Sequence, residues 1–162
     1  MAIYVTTSRK PSMPTRRLAK WLVALLGGEG ENRGKRSLQE ALERAEAKGF
    51  DRVLVINEDH GNPGKLSFVQ GGGWKESILL KSIELPAAER ERRRFPRAVV
   101  GKAVDAAGEK ILALLGVGAN EGEGPDGRGV DFVEVSAGAR EISFSVGGKR
   151  AGPVLKILGL VE

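Results

Sequence analysis

Apolar positions along the chain switch between a spacing of two or fewer residues and a helical spacing of three to four, and each switch marks an element. Ile3 to Thr7 is short, apolar and β-branched, and predicts a strand. Ser8 to Pro14 follows as a loop, because its two prolines resist regular pairing. From Pro14 to Leu26, residues Leu18, Trp21, Leu22, Leu25 and Leu26 fall on one helical stripe. Arg16 and Lys20 lie opposite, and Arg17 at the flank. Pro14 fits a first turn, where its missing N–H has no intrahelical partner, and Gly27-Gly28 ends the helix. Gly28 to Arg36 reads as a polar loop. Ser37-Leu38-Gln39-Glu40 has the capping-box pattern. It opens a second helix, with Leu38, Ala41, Leu42 and Ala45 on the buried face, which runs to Lys48 and stops at Gly49. The continuous apolar run Val53 to Ile56 predicts a strand covered on both sides. Asp59 to Gly64 is a turn, Leu66 to Val69 a strand broken by the glycines at 71–73, and Ser77 to Leu85 a further strand.

Helical periodicity returns from Val100 through Val104, Ala107, Ile111, Leu114 and Leu115. Gly116 to Gly129 holds six glycines and several acids and reads as a mobile loop. Val130 to Val135, Glu141 to Val146 and Val154 to Val161, the last interrupted at Gly159, predict strands. The order is β-α-α-β-β-β, then α-β-β-β. It predicts an α/β fold: a two-half sandwich of helices on mixed sheets, within one domain over residues 1–162, with structural halves at about 1–85 and 86–162. No residue-level repeat accompanies the repeated order.

Charge adds a location. Residues 1–36 hold eight Lys and Arg against two acids; residues 37–96 hold ten of each, and residues 97–162 eight against nine. The excess is confined to the first quarter, the footprint expected of a site for a polyanion; a solvated basic end is the plainer alternative. No apolar run approaches the roughly 20 residues of a membrane span, and the N-terminus lacks a secretion-signal layout. Cysteine is absent and His60 is the sole histidine, which removes disulfides, thiolate metal sites and His-based metal clusters. A cytoplasmic protein with no cofactor and no membrane partner is expected.

The strongest candidate for chemistry is the strand–loop–helix junction. First-turn N–H groups of a helix are unpartnered and partially positive. Ser8, Ser12 and Thr15 bring hydroxyls that can donate to phosphate oxygens, and Arg9, Lys10, Arg16 and Arg17 bring full charges. The alternative is that Ser12 or Thr15 only caps the helix. Arg33, Lys35 and Arg36 are expected to support the same surface.

This junction carries a family resemblance. Ile3-Tyr4-Val5-Thr6-Thr7-Ser8-Arg9-Lys10-Pro11-Ser12, followed by Thr15-Arg16-Arg17-Leu18-Ala19-Lys20, resembles the opening signature of the Brix-domain family. It resembles the compact archaeal members, which are similar to the family's small nucleolar ribonucleoprotein subunit. Gly34-Lys35-Arg36-Ser37-Leu38, Val53 to Glu58 and Gly61 to Leu66 resemble later family segments, so the likeness covers residues 3–70. The resemblance implies two halves, each similar to the anticodon-binding domain of class IIa aminoacyl-tRNA synthetases. It also implies a role in ribosomal RNA processing and subunit assembly without catalysis. Ribosomal RNA or pre-rRNA and other ribosome assembly proteins are the implied partners, in the cytoplasm, or the nucleolus for a eukaryotic source. The motif positions carried over are Ser8, Arg9, Pro11, Ser12, Arg16 and Lys20. Pro14 departs from a family position that is often basic.

Other signals are weaker. Arg90, Arg92, Arg93, Arg94 and Arg97 interleave with Glu89 and Glu91 and read first as a self-paired solvated segment. Gly34-Lys35 lacks the first glycine and the following Ser or Thr of a P-loop. The glycines at 71–73 read as a turn, and His60 has no identifiable nucleophile beside it. Trp21 belongs to the core; Trp74 either stacks on a base or caps the core, and the second is expected. With aromatics at 5%, an extended stacking platform is not expected, which argues against an RRM-like mode. The expected function is ribosomal RNA binding by phosphate and 2′-hydroxyl contacts. The rivals are a phosphate-ester enzyme (a nuclease or nucleotide hydrolase) on the same anion site, and a protein-interaction scaffold.

Overall fold

The computed structural model describes residues 3–87, 98–118 and 132–162. Its elements are β1 (Tyr4–Thr7), α1 (Met13–Leu26), β2 (Glu29–Gly30), α2 (Leu38–Ala47), β3 (Arg52–Asp59), β4 (Asn62–Gln70), β5 (Gly73–Trp74), β6 (Ser77–Glu84), β7 (Val99–Ala103), α3 (Ala106–Leu115), β8 (Val133–Ala137), β9 (Glu141–Val146), β10 (Lys149–Arg150) and β11 (Val154–Val161). All the described strands join one sheet in the order β2-β1-β3-β4-β6-β11-β9-β8-β7, with β5 on β4 and β10 on β9. The expected helices on mixed sheets are present, with the strands of both halves in one mixed sheet, because β6 and β11 pair antiparallel along their length.

The topology repeats across that seam. β1 pairs parallel with β3, and then β4 and β6 follow antiparallel. β7 pairs parallel with β8, and then β9 and β11 follow antiparallel. In each set the first helix lies between the two parallel strands in sequence. This is where one expectation fails. Val100 to Val104 reads as helical from its spacing, yet Val99–Ala103 is β7, and the helix starts only at Asp105. The Asp105 carboxylate caps it by accepting from the Gly108 N–H at 2.8 Å. Two adjacent β-branched valines suit a strand, and the parallel partner β8 that makes one possible lies beyond α3 in sequence.

Helices cover both faces. α1 and α3 pack on one, where Leu18, Trp21, Leu22 and Leu25 meet Ile3, Val5, Leu54, Ile56, Leu66 and Phe68. α2 packs on the other, against Tyr4, Val53, Val55 and Val69. Ser12, at the cap of α1, makes no side-chain cap bond. That forgoes about 1 kcal/mol, while burying four large apolar side chains contributes roughly 6–12 kcal/mol. Packing therefore holds α1. α2 has its full capping box: Ser37 accepts from the Glu40 N–H, and Glu40 accepts from the Ser37 N–H. Trp21 is in the core, but Trp74 is 55% exposed, contrary to expectation, because two-residue β5 leaves it at the margin of the sheet. The turn expected over 59–64 narrows to His60-Gly61, both at positive φ, as a two-residue hairpin requires. The arginine run at 90–97 and most of the glycine-rich stretch lie outside the described residues.

Candidate nucleic-acid interface

Strand periodicity decides the centre of the site. In β3, Leu54 and Ile56 face α1, so Glu58, two residues on, faces the same side at the strand end nearest the start of α1. A register shift between Asn57 and Glu58 accommodates Pro63 on β4. Glu58 then fills the place where an external anion was expected. Its carboxylate accepts from Ser8 Oγ at 3.1 Å, from Thr15 Oγ1 at 2.9 Å and from the Ser12 N–H at 3.2 Å. Ser12 Oγ lies 3.2 Å from Thr15 Oγ1. These three hydroxyls, expected to donate to phosphate, are engaged here by an internal carboxylate, directly or through a neighbour.

Burial works to raise the pKa of Glu58, but donation from Ser12, Thr15 and Ser8 outweighs it and holds the group below its ordinary 4.5. A carboxylate whose folded pKa is depressed contributes stability above its unfolded pKa, and that contribution is lost as pH falls through the folded value. Glu58→Gln is therefore expected to lower the urea midpoint at about pH 7, with the gap to wild type narrowing as pH is brought to about 3. A gap independent of pH would mean that the charge of Glu58 is not what anchors the junction.

The cations sort into two groups. Arg16 Nε donates to the Pro11 carbonyl at 3.0 Å, which shapes the loop around buried Pro11, while the rest of its side chain stays exposed. Arg17 donates to the Pro86 carbonyl. Arg36 pairs with Glu31 at 3.0 Å, and Arg44 also pairs with Glu31, at 3.1 Å. Tyr4 donates its hydroxyl to the same carboxylate, and burial followed by that bond pushes the phenol up to about 12. Arg36 is thus engaged by an acid that it shares with Arg44, which the charge count could not show. In contrast, Arg9, Lys10, Lys20 and Lys35 are exposed and enter no ion pair among the described residues. Lys10 holds a left-handed φ of 47°.

Arg33 joins this second group. Its N–H donates to Thr7 Oγ1 at 3.2 Å, tying the loop before α2 to the end of β1. Its Nε is buried without a partner. Burial, and then the charge of nearby Arg9, hold its pKa below the ordinary guanidinium value. The backbone tie to Thr7 thus brings Arg33 to the end of β1, within reach of the charge of Arg9 two residues further on, and neither enters an ion pair among the described residues. Arg16 and Lys20 extend the positive surface along the exposed side of α1. Among the described residues, no group of three or more His, Asp or Glu is placed to hold a metal ion. No described helix is long and apolar enough to cross a membrane. Sequence reasoning missed Glu58 and Glu31; the alternation of β3 is the one signal that points to Glu58.

No family model matches the chain. It is similar to a probable Brix domain-containing ribosomal biogenesis protein of Methanothermobacter thermautotrophicus, 32% identical over 123 residues, or 75% of each chain. A probable protein of the same description from Methanosarcina barkeri is 49% identical over 69 residues; that match spans 43% of this chain and 42% of the relative. Among solved structures, a probable ribosomal biogenesis protein from Aeropyrum pernix superposes with a TM-score of 0.76 at 26% identity, covering 99% of both chains. An archaeal Imp4-like protein does so with 0.74 at 28% identity, covering 98% of this chain and 99% of that one.

Proposed function

Because the chain belongs to the Brix domain-containing ribosomal biogenesis proteins, we propose that it serves ribosome assembly by holding ribosomal RNA or pre-rRNA against the junction of β1 and α1. The observation that carries this reading is the unneutralised pair Arg9 and Arg33, flanked by exposed Lys10 and Lys35. Like charges held together with a buried, unpartnered Nε are costly in the free protein, and a bridging phosphate relieves that cost. The seat for phosphate thus moves from the helix start, which Glu58 occupies, to the rim of the two loops. Arg16 and Lys20 extend the track; Arg36 and the hydroxyls of Ser8, Ser12 and Thr15 serve the scaffold.

Such a surface grips backbone rather than bases, so affinity should be strongly salt-dependent and weakly sequence-dependent. With about four phosphates neutralised, log K against log salt should have a slope of about −3 on single-stranded RNA. A slope near zero in a filter-binding titration with ribosomal RNA fragments would remove the proposal. The reading assigns no catalytic residue. Incubation of the pure protein with labelled ribosomal RNA and magnesium separates it from the phosphate-ester enzyme, for which defined cleavage products would speak.

A further inference from the structure

The face of the sheet opposite α1 carries surface of the other sign. Beside α2 runs a groove of about 480 Å³. Leu42 of α2, Phe50 and Val69 of β4 line it, and the first two are only partly buried. Its rim is acidic, with Glu43 and Glu46 one turn apart on α2 and Asp51 across from them. No Lys or Arg lines it, and none of the three carboxylates enters an ion pair among the described residues. Glu43 accepts a hydrogen bond from the side-chain amide of Gln39, Nε2 at 3.2 Å. Trp74 stands opposite Val69 in the antiparallel pairing of β4 and β5, so it shares this face, and it is 55% exposed.

We propose that this groove docks a cationic segment of a partner protein, in which an apolar side chain is flanked by lysines or arginines. The charge complement selects the occupant. Three unpaired carboxylates repel RNA and acidic peptides, and they attract cationic side chains whose methylene stems also cover apolar surface. The apolar floor calls for a large apolar side chain, which a free cation or polyamine lacks. Trp74 offers its ring to a guanidinium or ammonium at the groove's margin. The basic junction and the acidic groove lie on opposite faces, so one molecule can hold RNA and a basic polypeptide at once. The inference is independent of the RNA reading.

The test uses the full chain and a fluorescein-labelled peptide of roughly ten residues, Lys- and Arg-rich around a central Leu-Phe, with a Glu-rich mirror as control. Anisotropy should show saturable, salt-sensitive binding of the cationic peptide and none of the mirror. Amide shifts should map to residues 39–53 and 69–74. The triple variant Glu43→Gln, Glu46→Gln, Asp51→Asn should weaken binding about tenfold, as should Leu42→Ala, while Arg9→Ala leaves it unchanged. No binding, equal binding of the mirror, shifts elsewhere, or an unaffected triple variant of native circular dichroism would each overturn the proposal. So would a concentration-dependent dimer that shifts these amides, which would give the groove to a second copy, or RNA that competes with the peptide for it.

Discussion

Replacing Arg9 with Ala and Arg33 with Met together is expected to weaken binding to ribosomal RNA on the order of a hundredfold at physiological salt. Each charge-assisted contact to phosphate contributes about 1.5 kcal/mol, and each 1.4 kcal/mol is a factor of ten. The salt slope should become shallower by about 1.4, two phosphates at 0.7 each. Methionine is chosen for Arg33 because its stem is partly buried and its volume should be kept. The free protein should not suffer. Burial and the charge of Arg9 both work against the Arg33 guanidinium, so the double variant should melt at or slightly above the wild-type temperature. Lost function with unchanged or raised stability is the mark of a site held in tension for a ligand. Arg36→Ala is the control: its guanidinium is already engaged by Glu31, and binding should change by less than about threefold. Wild-type affinity in the double variant, or an equal loss in the control, would show that the seat lies elsewhere.

The second large effect concerns the union of the two sets of strands. Arg52, at the start of β3, is only 7% exposed. It donates through one terminal nitrogen to the carbonyls of Ala113 and Leu114 at 2.8 and 2.9 Å, where α3 ends. Helix carbonyls at a C-terminus lack intrahelical donors and carry partial negative charge, so a guanidinium satisfies them twice over. Four strands separate β3 from β8 in the sheet order, so this contact forms only because the sheet curls around α1 and α3. Gly116 lets Arg52 through: a Cβ there would stand 2.6 Å from Arg52 Nε. Arg52→Met keeps most of the packing but removes the guanidinium donor of both carbonyls, of which Ala113 keeps only the Gly116 N–H. It is expected to destabilise by about 3 kcal/mol, lowering Tm by roughly 6–12 °C for a chain of this size. The urea m-value should be unchanged if unfolding stays cooperative across the seam. A change of under about 0.5 kcal/mol would mean that water replaces the guanidinium at no cost.

Some features of the site are local and others are not. The apolar stripe of α1, the capping box of Ser37 and Glu40 and the clustering of cations in residues 1–36 each depend on residues within a turn or a loop, so the chain order displays them directly. The opening segment, with its family likeness, likewise pointed to ribosome biogenesis proteins, and relatives along most of the chain agree. Other outcomes belong to register. Glu58 meets Thr15 from 43 residues away, and it can do so only because β3 lies parallel to β1 with alternation that turns Glu58 towards α1. Val99–Ala103 is a strand because β8 is beside it.

By itself, then, the chain determined most of the elements, the apolar stripe of α1, the sign and place of the basic surface and the family likeness. Tertiary structure decided which of those charges remain available. Glu58 closes the helix start, Glu31 engages Arg36, and folding ties Arg33 to the end of β1, two residues before Arg9. The physical reason is range. Propensity and capping act over a few residues, whereas an ion pair or a shared carboxylate is set by distances of about 3 Å between groups that only a completed sheet brings together.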